Sequence, residues 1–184
     1  TFANAFRILR LDNSDVEGDI TAWDISTTAG MQTFVLTSCP LLTGNIGGWT
    51  LDSSLVTFQV GNTGLSGDIT GLVVPASMDY MYLNQTGLFG VPDLSGATGI
   101  RELYMYSCGL SQAQVDAVLA HIYTNRAVYN HTSAPVLLLH GTNAAPSGAY
   151  ADEDPPTTGN GYRYELVNDP EAEGFRKWSI TVSS

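Results

Sequence analysis

Residues 55–70 read LVTFQVGNTGLSGDIT, and the spacing of their apolar residues decides the fold. Leu55, Phe58, Val60, Thr63, Leu65, Gly67 and Ile69 set a pattern of offsets. Upstream, Phe6, Leu9, Leu11, Ser14, Val16, Gly18 and Ile20 reproduce it residue for residue. Downstream, Met78, Met81, Leu83, Thr86, Leu88 and Gly90 follow it, with Pro92 in the isoleucine place. Ile100, Leu103, Met105, Cys108 and Leu110 open a further copy. Met31, Phe34, Leu36, Cys39, Leu42, Gly44 and Ile46 also fit, with one extra residue in the turn at Pro40, Leu41 and Leu42. The copies start at 6, 31, 55, 78 and 100, so the period shortens from 25 to 22 residues. A period of this length marks a solenoid, whose units bury their apolar rows only against neighbouring units.

Within each unit, apolar and outward residues alternate, the period of a strand. Stacked units therefore predict a parallel sheet on one face, in an α/β chain. The isoleucine after each glycine is expected to start a second extended segment, with Trp23, Trp49 and Leu72 packing on the far side. Ser111 is a helix N-cap, and Val115, Val118, Leu119 and Ile122 follow at helical spacing, so a helix is predicted near residues 111–126. The stretch APVLLLHGTN (134–143) predicts a closing strand with Leu137 and Leu139 inward. Residues 1–142 thus form the solenoid, about five repeats and a closing strand. Residues 143–184 form a loop and cap in the same domain. There, YRYELV and KWSITV alternate like strands around NDPEAEG, which predicts a C-terminal β-hairpin covering the last edge. Only five residues precede the first repeat, a poor cap for that end. A missing segment or a partner is expected to cover it.

The repeat resembles the LxxLxLxxNxLxGxI pattern of the leucine-rich-repeat family, in its plant-like form, through VEGDI (16–20), LTGNI (42–46), LSGDI (65–69) and LFGVP (88–92). The resemblance covers roughly residues 6–142. It implies a sheet face that recognises protein or glycan. The asparagine position of the family holds Ser14, Cys39, Thr63, Thr86 and Cys108 here, each a smaller donor for the turning backbone. The two cysteines lie three repeats apart, about 14 Å by strand spacing, too far for a disulfide. The segments SQAQVDAVLAHI, LLLHGTNAAPSG and YELVNDPEAEGFRKWSITV resemble the C-terminal parts of bacterial and phage surface or virion proteins. That likeness implies an extracellular or virion-surface setting, as a tail-associated or capsid-decorating domain.

Seven Lys and Arg stand against 18 Asp and Glu, a net charge of -11. Nucleic-acid backbones and anionic membrane surfaces need clustered cations, so neither is an expected partner. No apolar run approaches the ~18 residues of a membrane span. The chain opens at Thr1 with no visible signal peptide, and is expected to be processed, trimmed or part of something longer.

No catalytic residue, metal ligand or cofactor is assigned. His121, His131 and His140 fall on a helix, a loop and a strand, and no HExxH, GxSxG or P-loop pattern occurs. GTNAAPSG (141–148) lacks the P-loop lysine and is expected to be a turn. Two acidic clusters, Asp152-Glu153-Asp154 and Glu165 with Asp169, Glu171 and Glu173, are either calcium ligands or a solvated surface. Asn84 and Asn130 head glycosylation sequons. The expected binding residues lie on the outward sheet face: Tyr80, Tyr82, Tyr104 and Tyr106 side by side, with Gln59 and Asn84 next to them. Tyrosine brings contact area and a hydroxyl at low entropic cost. The alternatives are that tyrosine merely favours strands or that the C-terminal loop covers it.

These residues point to a non-enzymatic binding or adhesion module. A structural or decoration subunit acting through assembly contacts at the N-terminal edge is the second reading. A carbohydrate-active enzyme is the third, and it needs a carboxylate pair on the face. Asp12 and Glu102 stand four repeats apart, about 19 Å by strand spacing.

Overall fold

Each coil of the chain rises as a short strand, turns at a left-handed residue, and returns on a second layer. The computed structural model describes residues 6–26, 30–129, 134–168 and 176–184. The front strands are β1 (Ile8–Arg10), β3 (Thr33–Val35), β5 (Thr57–Gln59), β7 (Tyr80–Tyr82) and β9 (Glu102–Tyr104). The returning strands are β2 (Gly18–Asp19), β4 (Cys39–Gly44), β6 (Thr63–Asp68) and β8 (Gly87–Phe89). Helix α1 (Gln112–Thr124), β10 (Val136–Leu139), α2 (Gly159–Asn168) and β11 (Ser179–Val182) complete the order. The front sheet has seven parallel strands, β1-β3-β5-β7-β9-β10-β11, and the second sheet has four, β2-β4-β6-β8. The result is a parallel β-solenoid with two helices.

The register is the one the repeat dictates. Leu9, Phe34, Phe58, Met81, Leu103, Leu137 and Ile180 are successive partners across the front sheet. Leu36, Val60, Leu83, Met105 and Leu139 form the next inward row, with no exposed surface, and Leu11 packs against that core. Phe34 and Phe58 stack with centroids 5.5 Å apart, and the Trp49 ring meets both edge-on. Trp49 and Leu72 are buried and Trp23 is partly buried, so the returning layer faces the core as expected. The second extended segment differs from the expectation in extent. It precedes the isoleucine, as in Thr63–Asp68 before Ile69, because the turn hydrogen bonds begin there. Thr70 N–H and Oγ1 both bond to Asp68 Oδ1, at 2.9 and 2.6 Å, and end the strand. Gly67 sits just before this turn at φ +120°, and a Cβ there would lie 2.5 Å from Asn45 Nδ2. Both facts require glycine.

The asparagine-position residues form a ladder under the front turns. Ser14, Thr63 and Thr86 hydroxyls donate to the carbonyls of Leu11, Val60 and Leu83 in their own coils. The two thiols reach back one coil: Cys39 Sγ to Leu11 O at 2.7 Å, Cys108 Sγ to Leu83 O at 3.2 Å. Both cysteines are free and buried, and burial pushes the Cys108 thiol up. A true asparagine ends the ladder. Asn143 is buried, its Oδ1 accepts from Cys108 and Leu110 N–H, and its Nδ2 donates to the carbonyls of Met105 and Leu139.

Ser111 and Gln114 form a reciprocal capping box at the start of α1, which buries Val115, Val118, Leu119 and Ile122 as predicted. The closing strand β10 also lies where the sequence places it. The C-terminal hairpin does not form. YRYELV (162–167), expected as a strand, lies within α2, and β11 joins β10 in parallel. The physical reason lies in the preceding loop. Thr158 Oγ1 accepts Gly161 N–H, the bond of an N-cap residue. Glu153 in turn fixes Thr158 by accepting its N–H and hydroxyl. Leu166 then buries fully and Tyr162 meets Tyr123 of α1. The acidic residues Asp169, Glu171 and Glu173, the sequon at Asn130 and His131 lie outside the described residues.

His121 ties α1 to the fourth coil, its Nε2 accepting Leu94 N–H at 3.0 Å, a role open only to the neutral ring. Burial holds this imidazole below its ordinary range, against a smaller upward pull from Asp93. Two outcomes follow. Asn143→Ala leaves four buried main-chain groups unpaired and should lower unfolding free energy by about 3–4 kcal/mol in urea titration. For His121, the unfolded chain takes up a proton near pH ~6.5 while the folded chain resists until lower pH. Its stabilising contribution is therefore whole above that value and falls as the pH drops below it. Thermal melts should show a shallower acid-side loss for His121→Gln than for wild type.

Candidate functional site

Strict register sets what the outward face displays. Thr33, Thr57, Tyr80, Glu102 and Val136 form one row, and Val35, Gln59, Tyr82, Tyr104 and Leu138 the next. Coils two and three thus carry small or short side chains, while coils four and five carry the tyrosines. Tyr80, Tyr82, Tyr104, Tyr106 and Gln59 are all half-buried on this face, so the structure brings these five expected residues together.

Asn84 departs from expectation. It is 7% exposed and belongs to the buried polar set. Gly61, its neighbour in the adjoining coil, leaves a hollow that the carboxamide fills: a Cβ on Gly61 would lie 2.8 Å from Asn84 Oδ1. The residue packs the floor and is not displayed, and a glycan on its nitrogen has no room. Val35, in the same outward row as Gln59 and Tyr82, is 1% exposed.

The rings form a continuous row. Tyr82 and Tyr104 stack face to face, centroids 4.2 Å apart and planes 3° from parallel. Tyr104 meets Tyr106 at 6.3 Å with a tilt of 50°. Tyr106 stacks on His140 at 5.0 Å and 14°. Adjacent parallel strands lie about 4.8 Å apart, so equal residues in consecutive coils must stack. His140 was not among the expected binding residues. The signal for it was present: extending the register by one coil puts 140 beside 106, as 137 lies beside 103.

Glu102 stands in the neighbouring outward row, opposite Tyr80. Its Oε2 accepts a short hydrogen bond from the Tyr82 hydroxyl. Burial pushes the Tyr82 phenol well above its ordinary range, and the Glu102 hydrogen bond and charge add to the shift. Burial also raises the Tyr104 phenol, again with help from Glu102. Among the described residues no partner reaches the hydroxyls of Tyr80 and Tyr106. His140 Nδ1 is buried without a partner.

Ring faces inside the row are spent on one another, so the ridge offers ring edges, hydroxyls and one carboxylate. The carboxylates of Asp12 and Glu102 are separated by the width of β3, β5 and β7. Among the described residues no group of three His, Cys, Asp or Glu side chains is placed to share a metal ion. The Glu153 carboxylate accepts from Thr157 and Thr158, so it works as a cap in the loop before α2. Elsewhere, an apolar groove of about 440 Å³ lies against Gly47, Trp49, Gly71, Val73 and Pro75, with no titratable group in its lining. Among the described residues, no helix is long and apolar enough to cross a membrane.

Comparison with protein-family models, curated proteins and solved structures gives no match for this chain.

Glu102→Gln removes the charge that disfavours the Tyr82 and Tyr104 phenolates. Spectrophotometric titration of phenolate absorbance should find two tyrosines ionising at lower pH in the variant than in wild type, the others unmoved.

Proposed function

We propose that this chain is a leucine-rich-repeat binding module, working in adhesion or recognition, that takes a partner on its front sheet. The observation that carries the reading is the row Tyr82, Tyr104, Tyr106 and His140, whose rings meet one another across three adjacent coils. A row pinned by stacking, with Tyr82 hydrogen-bonded to Glu102, loses little entropy on binding. The five-copy spacing and the turn ladder support membership of the leucine-rich-repeat family.

Between protein and glycan, the ring geometry favours protein. Sugar rings stack on open aromatic faces, and here Tyr82 covers Tyr104 while Tyr106 covers His140. Hydroxyls and ring edges suit a polypeptide with its own hydrogen-bonding groups and apolar side chains. The setting on a virion or cell surface is part of the same proposal, and rests on the likeness of the C-terminal segments alone. A carbohydrate-active role needs a close carboxylate pair, and among the described residues Asp12 and Glu102 stand on opposite sides of β3, β5 and β7.

The test compares wild type with the Tyr82→Ala, Tyr104→Ala double variant on a displayed-peptide library and a glycan array. Peptides selected by wild type should bind the double variant at least ~30-fold more weakly, the loss expected of a ridge centre. Melting of the double variant should stay near that of wild type, since both rings stand outside the core. Leu83→Ala is the contrasting control and should cost about 2–5 kcal/mol, since Leu83 has no exposed surface. Selected ligands that bind both proteins equally, or selection of glycans only, would overturn the reading.

A further inference from the structure

One carboxylate stands among the tyrosines of the front sheet. Glu102 is half-buried there, in the outward row of Thr33, Thr57, Tyr80 and Val136. The Tyr82 hydroxyl donates to its Oε2. An ionised carboxylate can accept about four hydrogen bonds, so capacity remains. Among the described residues no cation pairs with Glu102. Its sequence neighbour Arg101 pairs instead with Asp79 at 3.5 Å, and Arg10 pairs with Asp12 at 3.4 Å.

Tyr80 stands opposite Glu102, one strand spacing of about 4.8 Å away. Tyr82, Tyr104 and Tyr106 are set ring against ring. Tyr80 meets no other ring among the described residues, and Thr57 on its far side carries none. A phenol ring that stacks on nothing, next to a carboxylate that no cation neutralises, suits a guanidinium. The ring face attracts the cation, and the carboxylate accepts from its planar fork of N–H groups. Elsewhere the chain makes the first half of this contact with its own arginines. Arg126 lies over the Tyr123 ring and Arg163 over the Tyr150 ring, 3.9 and 4.7 Å from the centroids.

We infer that Tyr80 and Glu102 select the partner of the front sheet, by taking an arginine side chain from a basic polypeptide segment lying on the tyrosine row. The inference rests on the reading of that row as a protein-binding face. Tyr82 links the two places, since it stacks in the row and bonds to Glu102. A segment seated on the row therefore covers the carboxylate and removes its water. A charge covered without a partner is costly, so a neutral or acidic segment is rejected there. Lysine brings the charge but not the flat fork, and fits less well. The net charge of -11 draws a basic segment in from a distance.

The test starts from peptides that wild type selects out of a random displayed library and that the Tyr82→Ala, Tyr104→Ala double variant fails to bind. These ridge ligands should share an arginine. Replacing it with citrulline keeps the shape and removes the charge, and should weaken binding to wild type at least ~10-fold, with lysine in between. Against Glu102→Gln, the arginine and citrulline forms should bind within ~3-fold of each other. Tyr80→Leu should narrow the same gap. Ridge ligands without a cation overturn the inference and leave the ridge reading standing. So does a citrulline loss as large on Glu102→Gln as on wild type. A library that yields no ridge ligand overturns both. Should Glu102→Gln melt well below wild type, Tyr80→Leu decides, and an unchanged citrulline loss on it overturns the inference.

Discussion

The molecule depends on one constraint: every coil must lend its main-chain groups to the next coil in the same register. No coil has a core of its own. The front strands are three or four residues long, far too short to persist alone. What holds them is repetition of the same pairs, so that each inward row becomes a continuous apolar column and each turn meets an identical turn. Left-handed residues at Asn13, Ser38, Asn62, Gln85 and Ser107 mark the same point in five coils. Only two are asparagine, the residue that best tolerates this conformation. Ser38, Gln85 and Ser107 adopt it because their N–H groups bond forward to Gly61, Tyr106 and His140. Register thus overrides local preference.

The same constraint explains what could be read in the sequence. Phe58, Val60 and their equivalents were legible because offsets within a coil are copied between coils, and chance does not copy them five times. The first helix was legible because Ser111 and Gln114 supply both halves of a capping box. The second helix was not. In YRYELV the alternation of a strand and the spacing of Tyr162 and Leu166 on one helix face coexist, and only the bonds of Thr158 and Glu153 decide between them. Those bonds span a loop, so no local period reveals them. Asn143 escaped notice for a related reason: its neighbours Gly141 and Thr142 suggest a turn, and its four bonds reach residues 33 to 38 positions away, apart from Leu139.

The candidate site was legible to the same degree and failed at the same kind of point. Alternation predicts which side of the sheet a residue faces. It says nothing of how tall the neighbours are. Tyr80, Tyr82, Tyr104 and Tyr106 face outward and remain half-exposed because their neighbours are equally large. Asn84 faces outward too, yet lies flat because Gly61 beside it leaves a hollow. Exposure on a solenoid face is a property of a pair of adjacent coils. His140 shows the converse: one histidine far along the chain becomes part of an aromatic row because the closing strand keeps the register of the fifth coil.

The two sheets differ in length, and the difference follows from how each kind of element satisfies its backbone. The second sheet stops at β8, because α1 takes its place in the fifth coil. A helix bonds its own main chain internally and asks nothing of the next layer, so it closes a sheet edge cleanly. Helix α2 repeats the closure one coil later, packed on α1. The front sheet has no such element. It continues through β10, paired on both sides, to β11. Helices thus back the last coils while the front continues in strands. At the start of the chain neither layer is sealed among the described residues, and there Leu9, Leu11 and Val16 remain partly exposed. Among the described residues the two ends of the solenoid are therefore unlike: the last coils are backed by helices, and the first coil carries only strands.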